Sequence, residues 1–214
     1  MRWVLLGAVI AAALGNWWSR YRDDERLEQI TKPLTTVLVI GVALASGAPT
    51  TQIATAVVAL TLCLVGDVAL LPVIDRFVVG LAAFLLGHLG FLVLFAQYSF
   101  DRWPLGVVAT ALCLALVATV GRTIVSGARS RDAALHLPVV SYLVIISVMA
   151  VGGWSTGRWW AIAGSTMFVV SDSLLGWRQF VRSRPFMQVA VPFMQVAVMV
   201  TYHAALVMLT LSLW

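Results

Sequence analysis

Eight apolar stretches, each separated from the next by a charged, glycine or proline cluster, leave this chain few ways to fold. They run over 3–18, 33–46, 50–71, 77–98, 104–124, 135–152, 159–177 and 188–213. A bilayer core takes about 20 apolar residues per helix. The chain is 61% hydrophobic and 11% charged, whereas a soluble surface needs about a quarter of its residues charged. The expected fold is therefore all-α: one transmembrane domain over residues 1–214, a bundle of eight helices in the cell (inner) membrane. The run Trp3–Trp18 lacks a small-residue cleavage site and reads as a retained first helix. The second run is short, ends at the turn Ser46-Gly47-Ala48-Pro49, and reads as a tilted or incomplete span.

The net charge of +5 does not point to nucleic acid, because the basic residues sit singly or in short groups between apolar runs. Counted loop by loop, Arg20, Arg22, Arg26, Lys32, Arg76, Arg122, Arg129, Arg131, Arg178, Arg182 and Arg184 fall on one side. Arg2, Arg102 and Arg158 fall on the other. Positive loops stay cytoplasmic, so both termini are expected outside, as an even number of spans requires.

Two acids lie inside apolar runs. In hydrocarbon a carboxylate costs ~2.5–3.5 kcal/mol on insertion scales, which marks an intramembrane acid as a functional candidate. Asp67 lies near the end of the third run and Asp172 near the end of the seventh, and the charge count makes those two helices parallel, so the acids share a depth in the cytoplasmic half. A neutral carboxyl is the cheaper form there. The competing reading has each acid cap a helix or pair with a loop arginine, Asp67 with Arg76 and Asp172 with Arg178. The six-residue match of Val65-Gly-Asp-x-x-Leu70 to Val170-Ser-Asp-x-x-Leu175 adds a hint of a parallel four-plus-four duplication.

The remaining polar residues grade by depth. Lys32, directly before Pro33, is placed to meet a phosphate as a point charge or to snorkel at the interface. Tyr142 and Ser141 fall level with the acids. His88 and His203 lie near mid-membrane and suit hydrogen bonds between helices. No metal is expected, since no H-x-x-x-H, H-E-x-x-H or cysteine cluster is present. Cys63 and Cys113 read as small core hydrophobes. His136 reads as interfacial, and Trp17, Trp18, Trp103, Trp159 and Trp160 as an aromatic belt. Gly80, Gly87 and Gly90 give the fourth helix a small-residue face for close packing inside the bundle, or, as the weaker option, for a homodimer.

The heptad Pro185-Phe-Met-Gln-Val-Ala-Val191 recurs at once as Pro192–Val198. As one helix, 185–214 would reach about 45 Å at ~1.5 Å per residue, beyond a ~30 Å core. One copy is expected at the cytoplasmic surface, or a kink at Pro192.

Several of these segments together resemble the YhhN/TMEM86 family. They are Thr31-Lys32-Pro33-Leu34, Gly66-Asp67, the stretch Arg76-Phe77 through Gly80-Leu81 and Phe84-Leu85-Leu86-Gly87-His88-Leu89, Tyr142-x-x-x-Ile146-Ser147-x-Met149, Phe168–Leu175 and Thr201-Tyr202. They run in order from the second helix to the eighth. Trp177-Arg178 and Leu206 depart from the usual pattern. The resemblance implies an eight-helix lysoplasmalogenase, a hydrolase without cofactor that cleaves the vinyl ether bond of lysoplasmenyl-phospholipids to a fatty aldehyde and glycerophosphoethanolamine or glycerophosphocholine. It marks Lys32, Asp67, His88, Tyr142, Ser171, Asp172 and Tyr202.

An enol ether is activated by protonating its β-carbon, and two acids suit that chemistry, since one can deliver the proton while the other stabilises the oxocarbenium ion and activates water. Asp67 and Asp172 are the expected catalytic pair. Lys32, with loop arginines, is expected on the phosphate, and Tyr142, Ser171 and His88 orient the acids or the water. An intramembrane aspartyl protease lacks support, because its Gly-x-Gly-Asp and Pro-Ala-Leu signatures are missing. A proton-coupled transporter of lipid or amphiphile and a non-catalytic scaffold stay as alternatives.

Overall fold

A computed structural model describes residues 2–181 and 191–214. Among the described residues the chain is entirely helical. The helices are α1 Arg2–Arg22, α2 Glu25–Leu44, α3 Thr50–Ala69 and α4 Phe77–Ala96, followed by α5 Trp103–Arg131, α6 His136–Ser155, α7 Trp159–Phe180 and α8 Val191–Leu211. Six of the segments, all but α1 and α7, are long and apolar enough to cross a membrane.

The side-chain distribution is that of a protein dissolved in lipid. Outward-facing Val58, Leu86, Val93, Val107, Leu114 and Val144 are exposed, while Asn16, Thr35, Thr36, Asp67, His88, Ser165 and Ser171 are buried. A water-soluble protein keeps such polar groups outside. With six candidate spans, this makes the chain a multi-pass membrane protein.

Seven helices close a ring in the order α1, α2, α3, α4, α6, α7, α8 and back to α1. α5 stands outside it, packed on α6 and, through its last turns, on α7. Phe91, Phe95, Leu60, Met149, Phe168, Leu206 and Leu209 fill the ring at essentially zero exposure. α3 packs extensively on α4, and the glycine face of α4 lets the two helices approach. A Cβ on Gly90 would stand 2.9 Å from the Cβ of Ala59, and one on Gly87 3.0 Å from the Sγ of Cys63. That face is thus covered within the chain.

Two boundaries differ most from those expected. α2 begins at Glu25, eight residues before Pro33, because Asp24 caps it by accepting from the Leu27 amide at 3.1 Å and buried Glu28 pairs with Arg20. Pro33 is carried inside the helix, so this is a full-length span rather than a short one. α5 runs on past residue 124 to Arg131 as an amphipathic extension, and it contains one π-helical turn, Val117–Gly121. α8 is described from Val191 to Leu211. The first heptad copy lies, apart from Val191, outside the described residues.

Cys63 is buried, as expected of a core thiol, and Cys113 is half-buried on α5. Trp18, Trp103, Trp159 and Trp160 are exposed. Trp17 is not part of a belt: its indole N–H donates to His203 Nδ1 at 3.1 Å, tying α1 to α8.

Candidate active site

Because α3 and α7 run in the same direction and both end at the arginine-rich end of the ring, Asp67 and Asp172 are presented to the same interior. Asp67 is wholly buried. Its Oδ2 accepts from Thr36 Oγ1 at 2.6 Å and from Tyr202 OH at 2.8 Å. Lys32 Nζ lies 3.9 Å from Oδ1, an oxygen with no hydrogen bond of its own among the described residues. Asp172 Oδ2 accepts from the hydroxyl of Tyr142, and His88 Nε2 lies 3.7 Å from the same oxygen.

A row of rings joins the two acids. His88 meets Tyr142 edge to face at 5.3 Å and Phe168 at 4.5 Å, and Phe168 meets Tyr202 at 5.6 Å. Aromatic pairs in this geometry contribute about 0.5–1.5 kcal/mol each beyond their area, so the row fixes both tyrosines, and through them both carboxyls. Neither nitrogen of His88 has a hydrogen-bond partner among the described residues.

Both carboxyls line one polar cavity of about 240 Å³, together with Lys32, Tyr202, Arg20, Glu28 and Arg178. Against it lies a narrow apolar pocket of about 60 Å³ walled by Phe77, Leu81, Phe84, Ile146 and Val169. Asp172 lines both. A ligand with a charged head and a hydrocarbon chain therefore finds the two halves of its chemistry on either side of this one carboxyl.

Several expected contacts are replaced. Neither acid pairs with Arg76 or Arg178 among the described residues; Lys32 is the partner of Asp67. Lys32 is buried, not interfacial, because α2 begins two turns earlier than hydropathy suggests. The hydroxyl of Ser171 donates to the Val198 carbonyl at 3.1 Å, so it ties α7 to α8 instead of orienting an acid. Tyr142, His88 and Tyr202 stand at the acids, whereas His203 is held by Trp17. His136 opens α6, half-buried.

Sequence reasoning misses Thr36 and Glu28. Both lie four residues from Lys32, and that spacing puts all three on one face of α2. Glu28 is buried and bonded to Arg20, which also donates to Gln195 of α8. Among the described residues no three His, Cys, Asp or Glu side chains gather as metal ligands do.

The fold and site define a class: a multi-pass helical membrane protein with a buried and a half-buried carboxyl on parallel helices facing one chamber. Residues 27–213 match the YhhN family, and the chain belongs to it. It is 32% identical over 158 residues to the lysoplasmalogenase TMEM86B of Rattus norvegicus, a match that takes in 72% of this chain and 59% of that relative. No solved structure matches.

Proposed function

We propose that this chain is a lysoplasmalogenase-like ether hydrolase that cleaves the vinyl ether of a lysoplasmenyl-phospholipid, with Asp67 and Asp172 as its acid–base pair. The observation that carries the reading is Asp172 standing where the polar cavity meets the apolar pocket, with Asp67 in the same polar cavity. The name of the rat relative supports the substrate class.

The surroundings of the two acids differ, and the difference divides the labour. Asp67 has Lys32 3.9 Å from one oxygen and two hydroxyls donating to the other. Asp172 has a tyrosine hydroxyl and an imidazole but no lysine or arginine. Asp172 therefore gives its proton to the β-carbon of the enol ether, producing an oxocarbenium ion. The Asp67 carboxylate stabilises that cation and takes a proton from the attacking water. The hemiacetal collapses to aldehyde and the glycerol hydroxyl, so one water is consumed and the proton returns to the pair. Lys32 and Arg178 provide positive charge for the phosphate, and Glu28 a counter-charge for an ammonium head group.

Eight spans, both termini outside and the inner membrane complete the proposal. In it the polar cavity opens to the cytoplasmic leaflet, where the arginine-rich loops lie. A four-plus-four repeat fits as well: Asp67 takes its contacts from α2 and α8, Asp172 from α6 and α4, and a shift of four helices exchanges the sets. Aldehyde release from lysoplasmenyl-phosphatidylethanolamine by the purified chain is the test. Asp67→Asn and Asp172→Asn should each lower turnover about 10²-fold or more, the usual contribution of a general acid or base. Near-normal rates in both would overturn it.

A further inference from the structure

The apolar pocket beside Asp172 is too small for the chain it would have to take. At about 60 Å³ it is less than a tenth of the groove beside it, far short of a long hydrocarbon. The missing space lies on the other side of one thin wall. Between α5 and α6, on the outer face of the bundle, runs a groove of about 700 Å³ that shares Val117, Gly121, Leu143 and Ser147 with the inner pocket. These four residues are the seam between the lipid-facing surface and the site.

Three features mark the seam as built to part. The π-helical turn of α5, Val117–Gly121, coincides with it, the Arg122 N–H reaching back five residues to the Val117 carbonyl. Such wide turns collect at functional places in helices. Gly121 leaves the wall one backbone thick: a Cβ there would only just touch Val117 at 3.4 Å and Leu143 at 3.6 Å. And among the described residues α5 alone stands outside the ring, so it can move without opening the core.

The occupant is indicated by charge. Exposed Arg122 and Arg129, with half-buried His136, line the arginine-rich end of the groove, and Val144 and Val148 its apolar length. Cationic pockets between spans suit phosphate head groups. The hollow on the other side of α5, against α7, is about 250 Å³ and has no charged residue in its lining.

We propose that the α5–α6 groove is the docking site through which a single-chain phospholipid enters: its phosphate first rests on Arg122 and Arg129, and the lipid then crosses the Val117–Gly121–Leu143–Ser147 seam to bring its head to Lys32 and Arg178 and its ether to Asp172, the rest of the chain staying in the seam and groove. The proposal rests on the ether-hydrolase reading only for the destination of the chain.

The test uses a saturated alkyl-ether lysophosphatidylcholine with a mid-chain diazirine, which the proposed chemistry leaves intact, in phosphatidylcholine vesicles holding the full chain. Photolabel should fall on Val144 and Val148 in the groove and on Leu81 and Ile146 inside. Unlabelled lysophosphatidylcholine should compete with it, and the diacyl lipid should not. Gly121→Leu should lower inner labelling at least fivefold and spare the groove. Leu143→Ala, which widens the seam, should raise inner labelling. Replacing Arg122 and Arg129 by Gln should cut groove labelling severalfold. Inner labelling untouched by either seam variant, label on Leu112 and Val170 of the α5–α7 hollow instead, or equal competition by diacyl lipid would each overturn the proposal. Aldehyde release by the wild-type chain is scored apart: its absence with normal labelling removes the hydrolase reading alone, and its presence with an unlabelled groove removes the docking site alone.

Discussion

Replacing Lys32 by Met isolates the energetics of the candidate site, because it strips the buried Asp67 of its cation while keeping the volume of the side chain. At 3.9 Å, two unit charges attract by about 4 kcal/mol at an effective dielectric of ~20. The pair is almost wholly enclosed, at 8% and 0% side-chain exposure, so solvent screens little of this. Two things bound the loss. Thr36 and Tyr202 still donate to Asp67, and the carboxyl can take up a proton. The expected destabilisation is about 3 kcal/mol, within the range for breaking a buried pair from one side. It is read by titrating the purified protein with sodium dodecyl sulfate and following tryptophan fluorescence. Adding Asp67→Asn to Lys32→Met removes the orphaned charge and should restore most of the stability while turnover stays lost. A single variant within about 0.5 kcal/mol of wild type, or a double variant no more stable than the single, would refute the reasoning.

Other changes separate packing from chemistry. Tyr142→Phe removes the donor to Asp172 and should cut aldehyde release at least tenfold, while detergent stability changes by no more than about 1.5 kcal/mol, the net worth of one hydrogen bond. Gly90→Val drives a branched side chain against Ala59, whose Cα would lie 3.1 Å from the new Cβ. It should cost about 1–3 kcal/mol as overpacking does, and Ala59→Gly should recover part of the loss in the same titration.

The two acids are legible in the sequence because hydrocarbon makes a carboxyl conspicuous, and loop charges set the parallel direction of their helices. Hydropathy misplaces Lys32 for a physical reason. It starts the second helix at Pro33 and leaves the charged residues before it as a loop, yet the Arg20–Glu28 pair and the Asp24 cap carry those residues into α2 and sink Lys32 beside Asp67. Thr36, Trp17 and the seam of α5 depend on which helices become neighbours, and hydropathy is silent on that order. The departure of α5 from the ring has no local signature at all. Its span is as apolar as those inside, because a helix facing lipid and one facing other helices are solvated alike. Ser171 shows the same limit, since its spacing next to Asp172 suggests a helper to the acid, while its bond goes to the neighbouring helix.

Proton delivery to carbon is the central claim, and running the reaction in D₂O tests it most directly. The proposed route predicts an aldehyde with one deuterium on the carbon next to the carbonyl, placed there from Asp172, and no such product from Asp172→Asn. An unlabelled aldehyde, released at the normal rate and extracted before exchange, would contradict it.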